Sequence, residues 1–204
     1  MTASNYQPQR RKIHPAWLRV THWATAISVL ILITSGWRIY DASPLFTAVY
    51  FPESLTLGGW LAGALLWHFA AMWLLAASLL AYLTIGLLSG RFAHSLFPIS
   101  LRDAVRDLGA AFRGALSHED LSRYNMIQKL AYLGIIVDMV VLILSGLALW
   151  KPVQFSVLCR LLGEYDSARV VHFFAMVFMV AFLVVHVAMA LLVPRSLLAM
   201  VRGR

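Results

Sequence analysis

Four of the seven histidines, His22, His68, His172 and His186, fall inside long apolar stretches; His14, His94 and His118 fall in polar ones. An ionisable side chain in hydrocarbon is costly and is a functional candidate by default. One such histidine alone is readily explained as a neutral ring bonded to a neighbouring carbonyl or hydroxyl. Four together invite a different chemistry, because imidazole nitrogen is a common metal ligand. His172 and His186 are 14 residues apart. On a helix this is about 40° short of four turns, so both face one way, with ~21 Å between them along the axis. That separation is too long for one metal ion. It suits two stacked redox centres near opposite sides of a bilayer core ~30 Å thick.

The elements that must position these rings follow from composition. Of 204 residues, 61% are hydrophobic and 13% charged, against ~45–50% and ~25% in soluble domains. There is too little polar surface to coat a water-soluble particle. Stretches without Asp, Glu, Lys or Arg run from Arg19 to Arg38, from Glu53 to Arg91 and from Arg169 to Arg195; a fourth, from Lys129 to Lys151, is interrupted by Asp138 alone. A spanning helix needs ~20 apolar residues. The expected architecture is therefore all-α, a four-helix membrane bundle forming one domain over 1–204. Its spans lie at roughly 17–39, 59–89, 127–150 and 169–193, the second opening after the Gly58-Gly59 break. Each span is helical because lipid offers no partner to unpaired backbone groups. The first segment lacks a small-residue cleavage site and is too long for a signal peptide.

Orientation follows from the cations. With a cytoplasmic N-terminus, the outer side keeps Arg38, Lys151, Arg160 and Arg169, and the other thirteen of the 17 Lys and Arg lie inside. This bias places both termini in the cytoplasm. The net charge of +8 then serves membrane orientation, and no nucleic-acid partner is expected. Within the long inner loop, Leu101, Val105, Leu108, Phe112 and Leu116 recur at helical spacing. They predict an amphipathic helix that lies on the inner membrane surface or covers another part of the chain. One cysteine, Cys159, excludes an internal disulfide, a thiolate zinc or iron–sulfur cluster held by this chain alone, and covalent haem attachment through Cys-x-x-Cys-His. Trp17, Trp23, Trp37, Trp60 and Trp150 gather near span ends, as an interfacial belt does.

Direction and position sort the histidines by depth. His22 begins the first span and is inner; His68 is early in the second and is outer; His172 is outer and His186 inner. The pairs are His22 with His186 and His68 with His172. Each supplies the two axial nitrogens of a six-coordinate haem, an arrangement that favours electron transfer over oxygen binding. Arg19 and Arg169 each precede a histidine by one helix turn, where they suit haem propionates. Gly36 sits 14 residues after His22, at the depth of the outer pair. It either admits a porphyrin or serves small-residue helix packing. Asp138 stands mid-span with no cation within one turn. A structural hydrogen bond to a hydroxyl of another span and a proton relay are both open. His14 is an interfacial residue and a fallback inner ligand.

The stretches His14-Pro15-Ala16-Trp17-Leu18-Arg19-Val20-Thr21-His22-Trp23, Tyr124-Asn125-Met126-Ile127-Gln128-Lys129-Leu130-Ala131-Tyr132 and Ser145-Gly146-Leu147-Ala148, with the pair His172 and His186, resemble the bacterial cytochrome b561 superfamily. The likeness covers nearly the whole chain. It is greatest to the di-haem cytochrome b subunits of formate dehydrogenases, nickel–iron hydrogenases and thiosulfate-reductase-like complexes. The resemblance implies two haem b groups, with the inner one on the first- and fourth-span histidines and the outer one on the second- and fourth-span histidines. It implies a bacterial inner-membrane location. It also implies an electron-transfer subunit, rather than an independent enzyme, working between the quinone pool and a periplasmic oxidoreductase of the molybdopterin-dependent kind. A quinone site is expected near His14 and Arg19, by the end of the fourth span around Pro194. A homodimer is a compatible assembly. The competing readings are a stand-alone cytochrome b561 acting as a superoxide or quinol oxidoreductase, and a transporter or structural protein whose histidines only form hydrogen bonds.

Overall fold

The computed structural model describes residues 14–90 and 126–203. They form six α-helices: α1 (Ala16–Ala42), α2 (Leu61–Leu88), α3 (Met126–Trp150), α4 (Ser156–Leu161), α5 (Glu164–Leu192) and α6 (Pro194–Arg202), with a 3-10 turn at Glu53–Leu55. There is no strand among the described residues. Four helices, α1, α2, α3 and α5, are long and apolar enough to cross a membrane. They are the four expected spans. The amphipathic helix expected over 101–116, with His94 and His118, lies outside the described residues.

Two boundaries differ from the sequence reading. The fourth span begins at Glu164 rather than near residue 169, because a charge-free interval marks only the part of a helix inside hydrocarbon. Its first turn carries Glu164 and Asp166, where negative charge complements the helix dipole. The segment 151–168, between the third and fourth spans as read from the sequence, thus holds α4 and the start of α5. The short α6 is an addition. Pro194 opens it at the first turn and left-handed Gly203 closes it, an order in which proline loses no bond and glycine carries no steric penalty. At the other end, Gly58 has φ of +106°, and a Cβ there would meet the Ala64 backbone at 2.3 Å. Glycine is needed there to seat the loop on the start of α2.

Backbones approach closely within two helical hairpins, α1 with α2 and α3 with α5, and seldom between them. The hairpins meet through side chains. Val29, Ile33, Leu75, Leu79, Ile135, Met139 and Met179 form the central cluster. Val29, Leu75 and Met179 each come seven residues after His22, His68 and His172 respectively, so this apolar layer lies between the two histidine levels. Asp138 is buried at the same level, and its Oδ2 has no hydrogen-bond partner among the described residues. Of the two open readings, a bond to a hydroxyl of another span is absent at that oxygen. Thr25 and Ser78, about one turn away in depth, instead bond each other at 3.0 Å.

Candidate functional site

The four apolar-span histidines meet in the pairs that depth predicts. His22 of α1 and His186 of α5 have ring centroids 6.0 Å apart, and His68 of α2 and His172 of α5 have centroids 6.5 Å apart. Each pair joins one hairpin to the other. The first lies at the end of the bundle that carries residues 14–19 and α6, here the terminal end. The second lies at the end carrying residues 43–60 and 151–163, the loop end.

At the loop end the rings are held by polar contacts. Ser35 Oγ is 3.0 Å from His68 Nδ1, and Ser145 Oγ is 2.8 Å from His172 Nδ1. Both serines are fully buried. Each hydroxyl also donates to a carbonyl one turn back, Ser35 to Ile31 and Ser145 to Val141, both at 2.6 Å. The residue after each serine is a glycine against the same ring. A Cβ on Gly36 would lie 3.3 Å from His68 Cε1, and one on Gly146 would lie 3.4 Å from His172 Cε1. Gly36 therefore makes room for the imidazole itself. Trp37 stacks on Phe51 at 4.7 Å and Tyr40 on Phe173 at 5.1 Å. The Tyr40 hydroxyl accepts from the Phe46 amide and donates to its carbonyl. These residues, neighbours in sequence of Gly36 and His172, bind the 43–60 loop over that end.

The terminal pair is plainer. His186 stacks on Phe182 at 5.6 Å and is exposed, whereas His22 is partly buried and stands edge-on to Trp23 at 5.4 Å. No hydroxyl bonds either ring among the described residues. Arg19 donates to the Val201 carbonyl at 3.3 Å, and a Cβ on Gly203 would come 2.6 Å from its Nη1 and 3.4 Å from the His14 carbonyl. The end of α6, Arg19 and the backbone of His14 thus come together beside the terminal pair. Arg169 donates to the Ser43 carbonyl at 2.5 Å, at the cap of α1. Both arginines neutralise carbonyls freed at helix C-termini.

The donor set fits haem iron. Two metal–nitrogen bonds of about 2.0–2.1 Å end to end, with roughly 1 Å from each nitrogen to its ring centre, separate two axial imidazoles by about 6 Å. The observed separations are 6.0 and 6.5 Å. Hairpins whose backbones stay apart leave room between them for a flat group. Ser35 and α6 were not picked out from the sequence, and Ser145 and Gly146 stood only within a stretch that carries the resemblance, with no role given to either. A Ser-Gly dipeptide in each of two apolar spans is the further signal for the serines.

The sequence profile described as prokaryotic cytochrome b561 matches residues 13–203. A protein of Azospira oryzae, named provisionally as the YedZ1 subunit of a protein-methionine-sulfoxide reductase, is 60% identical over 191 residues, covering 94% of this chain and 96% of the relative. Proteins of Azotobacter vinelandii and Azotobacter chroococcum mcd 1, each named as a probable Ni/Fe-hydrogenase B-type cytochrome subunit, are 27% and 26% identical over 194 residues, covering 87% of this chain and 79% of each relative. The chain belongs to the prokaryotic cytochrome b561 family and is a multi-pass haem protein of the bacterial inner membrane.

Proposed function

We propose that the chain is a di-haem electron carrier between the quinone pool and a periplasmic oxidoreductase. The observation that carries this reading is the pair of cross-hairpin histidine contacts at two depths. His22 and His186 would hold one haem b, and His68 and His172 the other. Bound there, the haems would supply one-electron redox chemistry. The chain's own residues orient the rings, separate the two levels with an apolar layer and close the loop end with aromatic side chains. Arg19 and Arg169 lie within one turn of ligands and complement the propionates.

The positive-inside bias puts the terminal end in the cytoplasm. Quinone binds there, beside His14, Arg19 and α6, where polar groups and a proton route are at hand. The periplasmic partner docks on the loop end, on segments 43–60 and 151–163. The relative of Azospira oryzae directs the choice of partner: a reductase of methionine sulfoxide in proteins, of the molybdopterin-dependent kind that the resemblance implied. Reducing a sulfoxide takes up two electrons and two protons and releases water, so electrons run from quinol outward. The more distant likeness to the hydrogenase subunits supports the opposite direction, from partner to quinone.

The test uses membranes holding the chain and its co-purifying partner. Quinol should reduce the b-type absorbance, and a methionine-sulfoxide-containing protein should reoxidise it. Reduction by hydrogen would point to the second partner class. Quinone analogues should perturb first the haem that is lost in His22→Ala. If they shift only the haem lost in His68→Ala, quinone binds at the loop end.

A further inference from the structure

We infer that Ser35 and Ser145 are positioning residues that lower the midpoint potential of the loop-end haem relative to the terminal-end one. The inference rests on the ligand reading above and adds residues to it. A serine hydroxyl has one proton. With carbonyls at 2.6 Å on Ile31 and Val141, that proton goes to the carbonyl, which can only accept. The same oxygen then accepts from the imidazole, so His68 and His172 carry their proton on Nδ1. Each leaves Nε2 with its lone pair free for iron.

A ligating histidine that donates its other N–H becomes a more basic ligand with a fixed tautomer and orientation. A more basic ligand favours ferric over ferrous iron. Both loop-end ligands have this support, and neither terminal-end ring has a hydroxyl partner among the described residues. The two supports are built alike: a fully buried serine, a carbonyl one turn back, and a following glycine that lets the ring lie against the helix. They come from different hairpins and act on the two sides of one site. Packing alone would require small residues at these positions and would not require a hydroxyl.

The experiment is a potentiometric titration of the haem-loaded chain in membranes, comparing Ser35→Ala, Ser145→Ala, the double alanine variant and the double threonine variant. His68→Ala identifies the loop-end component. Alanine removes only the hydroxyl and leaves both histidines and both glycines in place, so the haem should stay bound. The double alanine variant should favour reduction of the loop-end haem three- to tenfold, a rise of about 30–60 mV at 59 mV per tenfold. Its ferric low-spin EPR signal should change too. The terminal-end component should stay in place, and threonine, which keeps the hydroxyl, should restore the original value. An unchanged midpoint with haem retained, or an equal shift in both components, would overturn the role of the serines while the ligand reading stands. Loss of haem from the alanine but not the threonine variant would support it. Loss from both would mark the serines as packing residues and overturn it. If His68→Ala removes neither component, the ligand reading itself fails.

Discussion

The two ends of the bundle hold the same pair of side chains in different ways. At the loop end, each ring is fixed by a buried serine, a glycine that lets it approach and an aromatic loop folded over it. At the terminal end, the rings have aromatic neighbours only, His186 is exposed, and the nearby polar groups tie down α6. The contrast shows that spacing along α5 sets the depths of the two sites, and that their character is set by the helices opposite. In the proposed function, the closed site serves exchange with a docked protein, and the more open one, beside a short amphipathic helix, serves a diffusible quinone.

The largest effect that can break this comparison is ligand removal. His68→Ala should abolish one haem and His22→Ala the other, each leaving the remaining component visible by optical titration. A variant that loses both would show that the sites fold as one unit. Next come the glycines. Gly36→Leu or Gly146→Leu drives a side chain into the His68 or His172 ring, and overpacking of this kind costs about 1–3 kcal/mol. The loop-end haem should be lost or rearranged while the terminal-end spectrum persists; the reverse loss would place the glycines at the wrong site. Arg169→Ala removes the tie to Ser43 and should lower the thermal midpoint of the Soret absorbance by an amount corresponding to about 1 kcal/mol, since a partly exposed charged hydrogen bond lies toward the low end of its range. Arg19→Ala should instead loosen α6 and alter the response to quinone analogues. The smallest effect belongs to Asp138→Asn. It breaks no hydrogen bond at Oδ2, and its level is about 10 Å from each pair. Any shift should therefore be small and similar in both components.

The spans and the pairing of the histidines at two levels were legible because each rests on a one-dimensional quantity: an apolar run long enough for a bilayer, and a spacing of 14 on one face. The part the serines play was not. Ser35 looks like an ordinary small residue in an apolar helix, Ser145 stood out only as part of a stretch that carries the resemblance, and only the rotation of α1 against α2, and of α3 against α5, brings each hydroxyl to a ring. Gly36 was singled out for its depth, and its contact proved to be with the His68 ring. The charge-based boundaries fell short at Glu164 because the helix outlasts the hydrocarbon there. Pro194 was visible as the end of the fourth span, yet the nine-residue helix it begins was not read from the sequence.

Haem stoichiometry and its dependence on single ligands test the central claim most directly. A pyridine haemochrome assay on fully loaded, quantified protein should give two haem b per chain, one in His68→Ala and one in His22→Ala, with complementary components missing from the redox titrations. One haem per chain in the parent protein, or both components surviving His22→Ala and vanishing only with His14→Ala, would contradict two cross-hairpin sites.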